Sequence, residues 1–169
     1  MAEQKKPVER QVAVMPPEQV ERIWNQVKDL KQLKETLQIS PQEIENTYAL
    51  AYLLYEQKQF QSAADSFSVL MMMDPTDWRF SYGLAACRHA LADWPNAALY
   101  FAVAAELNPG DPLPHYYTAD CFLKLGNEKA AKLSYELVLE RIAKQADGQL
   151  WKALKGQTEL MLKQMGTTA

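Results

Sequence analysis

Apolar side chains recur at three- and four-residue steps over most of the chain, which is the spacing of helices that bury one face. Between residues 44 and 145 this pattern repeats after 34 residues, so that Ala97 falls on Ala63 and Ala131 when the sequence is shifted by one period. Two of the positions that agree hold alanine in every copy: Ala51, Ala85 and Ala119, and Ala63, Ala97 and Ala131. A third holds an aromatic residue in every copy: Phe67, Phe101 and Tyr135. The chain therefore contains three copies of one unit, at residues 44–77, 78–111 and 112–145.

A 34-residue period with small residues at positions 8 and 20 and an aromatic residue at position 24 is the signature of the tetratricopeptide repeat. Small side chains let the two helices of a repeat approach closely, and the aromatic ring fills the space between neighbouring repeats. We therefore predict an all-α fold, a tetratricopeptide-repeat solenoid of three helix–turn–helix repeats. Such a stack presents a binding surface.

Local signals mark where the helices begin. Ser40-Pro41-Gln42-Glu43 is a capping box with proline at the first helical position, and it predicts a helix from there to about Glu56. The second helix is expected from about Phe60 to Met72. Either Thr76 or Asp77 is expected to cap the helix that starts at Trp78, and the side chain of Asp93 is expected to cap the next one.

The repeats are flanked by two further segments. Residues 1–15 are polar and predict a disordered tail, and residues 146–169 predict a C-terminal capping helix and tail. Residues 16–39 predict an N-terminal amphipathic helix that either caps the first repeat or meets a second subunit. The candidate dimerisation residues share its apolar stripe: Val20, Ile23, Trp24, Val27 and Leu30.

Charge and composition narrow the function classes. The chain has 18 basic and 21 acidic side chains, a net charge of −3 and a pI of about 5.5, which disfavours nucleic acid as a partner. Its apolar runs are far shorter than a membrane-spanning helix, and the N-terminus lacks the apolar segment of a secretory signal. We therefore expect a cytosolic protein without direct membrane insertion. From the apolar stripe of the N-terminal segment we also expect a homodimer.

Candidate chemistry is sparse. His89 and His115 are the only histidines, and no metal-binding, nucleotide-binding or catalytic motif occurs. Cys87 and Cys121 occupy equivalent positions in successive repeats, about 10 Å apart, which is too far for a disulfide. We therefore expect two buried free thiols, no cofactor, no metal and no enzyme activity.

The first helix of each repeat should present positions 2, 5, 9 and 12 to the inside of the solenoid. Position 5 is a tyrosine in every repeat, and Tyr48, Tyr52 and Tyr55 form one helical stripe. These tyrosines are either core residues or the lining of a groove that suits an extended apolar peptide. Position 9 carries no basic residue, so a clamp for an acidic terminus is absent. The predicted groove residues are Tyr48, Tyr52, Tyr55, Tyr82, Ala86, His89, Tyr116 and Asp120.

Several segments resemble the class II chaperones of bacterial type III secretion systems. The resemblance covers about residues 20–145 and is most specific in the Gly-Leu-x-Ala-Cys-Arg segment at 83–88 and the Ala-x-Cys segment at 119–121. Departures occur in the first two turns, at residues 57–60 and 92–94, where the family usually has glycine, and at Tyr117-Thr118, where many members have histidine-alanine.

The resemblance implies a cytosolic chaperone that holds hydrophobic translocator proteins before export, without ATP. It also implies a concave groove for a Pro-x-Leu-x-x-Pro segment, with Tyr48, Tyr52 and Tyr55 as groove aromatics continued by Tyr82 and Tyr116. Many members dimerise through the N-terminal helical region. A general scaffold for assembling a secretion or pilus complex is the alternative function.

Overall fold

The structure is a computed structural model that describes residues 40–145 and 151–166. Seven helices and no strand occur in these residues, which confirms the all-α prediction. The helices are α1 (Pro41–Glu56), α2 (Phe60–Met73), α3 (Trp78–Ala90), α4 (Trp94–Leu107), α5 (Leu113–Lys124), α6 (Glu128–Ala143) and α7 (Lys152–Gly166). The predicted N-terminal helix and its candidate dimerisation residues Val20, Ile23, Trp24, Val27 and Leu30 lie outside the described residues.

Helix α1 begins at the predicted capping box. The backbone amide of Ser40 donates to the Glu43 carboxylate over 2.7 Å, and the amide of Glu43 donates to the Ser40 hydroxyl over 3.2 Å. These bonds from Ser40 lower the pKa of the Glu43 carboxyl. Asp77 caps α3 by accepting from the amide of Arg79 over 3.0 Å. Both helix starts therefore follow from local hydrogen bonding.

The prediction that the Asp93 side chain caps α4 is wrong. Asp93 does precede the helix, but its carboxylate makes no capping bond to the backbone. It accepts instead from the side-chain amide of Asn96 over 2.8 and 3.0 Å and lies 3.8 Å from Arg88. Pro95, at the second helical position, has no amide hydrogen to offer, which removes one of the usual partners of a cap.

The turn inside each repeat uses one residue in the left-handed region. Lys58, Ala92 and Gly126 have φ of 59°, 58° and 69°, and they are separated by 34 residues. Glycine takes this conformation without a steric penalty, whereas an L-residue is strained by about 1–2 kcal/mol. The first two turns therefore keep the backbone of a glycine turn without the glycine.

Successive helices pack in pairs along the chain, and α1 also contacts α3. The residues that define the repeat are all buried, with relative exposures of 0–3%: Ala51, Ala63, Ala85, Ala97, Ala119, Ala131, Phe67, Phe101 and Tyr135. Cys87 and Cys121 are also buried and unbridged, and burial raises the pKa of each thiol to about 12.

Helix α7 covers the last repeat. Leu154 and Thr158 are buried, and Leu154 packs against Val138 and Ile142 of α6. At the other end of the stack, Leu50 and Leu53 of α1 are 52% and 51% exposed. The two ends of the described solenoid therefore differ, because only the C-terminal end has a covering helix among the described residues.

Candidate peptide-binding groove

A cavity of about 400 Å³ opens on the face formed by α1, α3 and α5, the first helices of the three repeats. The first repeat contributes Tyr48, Tyr52, Tyr55 and Phe67 to its wall. The second repeat contributes Trp78, Arg79, Tyr82, Gly83, Ala86, His89 and Phe101. The third contributes Leu113 and Tyr117, and Asp111, the last residue of the second repeat, lies on the wall just before α5. We call this surface the groove; its size falls in the range of about 300–1,000 Å³ that is usual for ligand pockets.

The groove tyrosines differ in how firmly they are held. The Tyr48 ring packs against Phe67 and Phe80, with centroids 6.1 and 5.9 Å apart, whereas Tyr52 is 54% exposed. The Tyr55 ring meets Phe60 edge-on at 5.4 Å. The stripe therefore combines two rings fixed by the core with one that is largely open to solvent.

Six of the eight predicted groove residues line the cavity: Tyr48, Tyr52, Tyr55, Tyr82, Ala86 and His89. Tyr116 does not, because its ring turns to the C-terminal side, where it packs against Tyr135 at 5.6 Å and against the cluster around Val138. The next residue, Tyr117, takes its place on the wall. Asp120 is not part of the wall either. Its carboxylate lies 2.7 Å from Nε2 of His89, and His89 is a wall residue.

Position 6 of the repeat explains why Tyr117 lines the groove. At this position the first two repeats have Ala49 and Gly83, and the third has Tyr117. A Cβ atom on Gly83 would lie only 2.4 Å from the Phe67 ring, so glycine is what lets that ring pack down on α3. The ring of Tyr117 instead stacks on Phe101, with centroids 5.2 Å apart and planes 20° from parallel.

Arg79 is the basic side chain of the cavity wall, and two carboxylates hold it. Its guanidinium donates to Asp77 over 2.6 Å and to Glu45 over 2.7 Å, and these hydrogen bonds raise its pKa. The guanidinium also lies 4.8 Å from the centroid of the Tyr48 ring. Because Arg79 is already paired, the wall does not offer a clamp for an acidic terminus.

The hydroxyls of the half-buried groove tyrosines remain protonated at neutral pH. Burial raises the pKa of Tyr82, with further contributions from Tyr117 and the charge of Asp111. Burial also raises the pKa of Tyr48 and Tyr55. The groove therefore presents aromatic faces together with hydroxyl groups that can donate hydrogen bonds, a combination suited to the carbonyl groups of an extended peptide.

Sequence reasoning missed part of the wall. The repeat pattern predicts Phe67 and Phe101 as packing residues alone, and it does not place Gly83 or Asp111 on the wall. A usable signal existed for Gly83, since a glycine inside a helix usually has a packing or functional reason. For Asp111 there was none, because aspartate before a helix is an ordinary cap.

Among the described residues, every helix is too short or too polar to span a membrane.

The sequence model of the tetratricopeptide-repeat family matches residues 44–77 of this chain. Low calcium response locus protein H of Yersinia pestis is 30% identical over 106 residues, which are 63% of this chain and 63% of the relative. The match thus spans less than two thirds of that relative's length. Chaperone protein SicA of Salmonella typhimurium is 31% identical over 121 residues, 72% of this chain and 73% of the relative.

A solved structure gives the same result for the fold. The Yersinia enterocolitica type III secretion chaperone SycD, crystallised in complex with a peptide of the translocator YopD, is 27% identical to this chain with a TM-score of 0.71. The superposition covers 76% of this chain and 96% of SycD. Together with the repeat architecture and the identity to SicA over most of both chains, this shows that the chain belongs to the class II chaperones of type III secretion systems.

Proposed function

We propose that this protein binds and stabilises hydrophobic translocator proteins of a type III secretion system in the cytosol before their export. The observation that carries the proposal is the aromatic cavity of about 400 Å³ on the face of α1, α3 and α5. The likeness to SycD, which was crystallised with a translocator peptide, supports it. The bound part is an extended segment that contains proline and leucine.

The groove suits such a segment for physical reasons. Proline and leucine side chains lose water when they contact the faces of Tyr48, Tyr52 and Tyr55, and each tyrosine has few rotatable bonds to order. The hydroxyl groups can bond peptide carbonyls that would otherwise lose their water partners. This is recognition without a catalytic step, so we propose a chaperone that is not an enzyme and uses no cofactor.

Shielding the segment would keep the translocator from aggregating and from inserting into the inner membrane too early. Docking of this kind typically has a Kd of about 1 μM, or about −8 kcal/mol, which allows release at the export gate.

The test is titration of a fluorescent translocator N-terminal peptide against the wild-type protein and Tyr52→Ala. Tyr52 is 54% exposed, so its truncation should leave the fold intact. Loss of an aromatic contact at the centre of a binding surface weakens affinity by about tenfold or more. Leu99→Ala is the matched control, because Leu99 is 55% exposed but outside the cavity wall. Equal affinity of Tyr52→Ala and wild type would reject the groove as the binding site.

We also propose that the protein is a homodimer through the N-terminal helical segment. The exposed Leu50 and Leu53 on α1 support an apolar contact at this end of the solenoid, since two neighbouring exposed leucines favour burial against another helix. Light scattering should show a dimer for the full chain and a monomer for Ile23→Glu/Val27→Glu. Gln26→Glu, which adds charge beside the stripe, is the control. A monomeric wild-type chain would refute the dimer.

A further inference from the structure

The groove carries an excess of negative charge. Its wall contains one guanidinium, Arg79, and one carboxylate, Asp111. Three more carboxylates contact wall residues: Glu45 and Asp77 bind Arg79, and Asp120 binds His89. Four carboxylates against the one guanidinium leave an excess of negative charge even if His89 is counted as a cation. An apolar segment with acidic side chains would be repelled here, whereas a basic side chain would be attracted.

Three of the four carboxylates already have a side-chain partner, either Arg79 or His89. The Arg79 guanidinium reaches Glu45 over 2.7 Å and Asp77 over 2.6 Å. Nε2 of His89 lies 2.7 Å from Asp120. These pairs are internal to the stack, because each joins side chains of neighbouring repeats or of one helix start. They leave Asp111, the acidic residue of the cavity wall, without a side-chain partner in the described part of the chain.

Asp111 is bound through one oxygen only. Its Oδ1 accepts from the amide of Leu113 over 2.9 Å and so caps the start of α5. For Oδ2 no hydrogen-bond donor is found in residues 40–145 and 151–166. Burial raises the pKa of this carboxyl, although the bond from Leu113 works against the rise. A half-buried carboxylate with an unused oxygen is stabilised when a cation binds it.

We propose that the groove selects segments in which a lysine or arginine accompanies the apolar anchors, and that Asp111 Oδ2 receives the cationic group. This inference rests on the proposed function, since it specifies the segment that the same groove binds. Asp111 is thereby a specificity-determining residue in addition to a helix cap. Arg79 does not compete for it, because Asp77 and Glu45 hold that guanidinium.

The experiment uses the full chain, the labelled parent peptide Pro-Ala-Leu-Ala-Ala-Pro and six labelled derivatives of it. Each alanine in turn is replaced by lysine or by glutamine, which has a similar length and no charge. At one of the three positions the lysine peptide should bind the wild-type protein about five- to tenfold more tightly than its glutamine counterpart, as a partly desolvated ion pair would. Raising the salt concentration from about 0.05 to about 0.5 M shortens the Debye length from about 14 to about 4 Å, so the advantage of the lysine peptide should shrink.

Asp111→Asn should abolish this advantage. Asparagine keeps an oxygen for the amide of Leu113, so the helix cap and the unfolding midpoint should stay close to wild type. Asp65→Asn is the matched control, because Asp65 is an exposed carboxylate on α2 that lies outside the cavity wall. It removes the same charge and should keep the lysine advantage.

The outcomes separate the two proposals. If lysine gives no advantage at any position, or if the advantage survives in Asp111→Asn, the role of Asp111 is overturned while the groove itself stands. If the Pro-Ala-Leu-Ala-Ala-Pro parent does not bind, or binds Tyr52→Ala as well as wild type, the proposed function fails and this inference fails with it.

Discussion

Gly83 is predicted to be required because of the close approach of one ring to α3. An alanine Cβ at this position would lie 2.4 Å from both Cε1 and Cζ of Phe67. Phe67 is 3% exposed and packs against Tyr48, so its ring has little room to retreat. Inserting a methyl group into a packed site of this kind costs about 1–3 kcal/mol.

The helical preference of alanine works in the opposite direction. Alanine is favoured over glycine inside a helix by about 1 kcal/mol, so Gly83→Ala should have a net cost of about 0–2 kcal/mol. Gly156 lies inside α7 with no heavy atom within 4 Å of an added Cβ, apart from its own helix and neighbours. Gly156→Ala should therefore be stabilised by the helical preference of alanine without any clash, so it is the matched control.

Urea unfolding followed by circular dichroism measures both variants on the same scale. We expect Gly156→Ala to be more stable than wild type by about 0.5–1 kcal/mol and to exceed Gly83→Ala by about 1–3 kcal/mol. The difference between the variants isolates the clash with Phe67. Since Phe67 also lines the groove, peptide affinity should fall in Gly83→Ala only. If both variants gain equal stability, the ring is free to move and the reasoning is refuted.

Two further predictions concern stability. His115 is 6% exposed, and burial, followed by the charge of Arg141, lowers its pKa below 6.5. As pH drops through 6.5 the unfolded chain therefore takes up a proton before the folded one, so the free energy of unfolding should fall and then level off below the folded pKa. The total fall is about 1.4 kcal/mol for each unit by which folding lowers the pKa of His115. An equally steep fall in His115→Gln would contradict this. Ala92 has a φ of 58°, so Ala92→Gly should stabilise the protein by up to about 1 kcal/mol in the same urea assay. The control Ala102→Gly, inside α4, should destabilise the protein by about 1 kcal/mol. A loss of stability in both variants would show that the turn is unstrained.

The helix starts and the repeat were predictable because they depend on local chemistry. A capping box and an aspartate before Trp78 act through hydrogen bonds within four residues, and a proline at the first helical position acts through its fixed backbone angle, so the sequence shows all three directly. The buried alanines of the repeat follow from a steric requirement that is the same in every copy. Such features do not depend on how distant parts of the chain arrange themselves.

The groove wall was less predictable because neighbouring repeats decide it. Tyr116 and Tyr117 are adjacent on a helix, and about 100° of rotation separates their side chains. Which of them faces the groove depends on Phe101 from the preceding repeat and on Tyr135 from the following helix. Asp93 is a different case, because nearby side chains of its own repeat, Asn96 and Arg88, pair with its carboxylate in place of the backbone.

Position 6 of the repeat gives the groove a direction. In the second repeat Gly83 provides space, and the Phe67 ring occupies it as part of the wall. In the third repeat Tyr117 provides a ring that stacks on Phe101, beside the carboxylate of Asp111 on the same wall. A bound segment would thus meet tyrosine rings near α1 and a negative charge near the start of α5. An apolar repeat alone would tolerate either orientation of a peptide, whereas this difference between the repeats favours one, with the basic side chain near the start of α5.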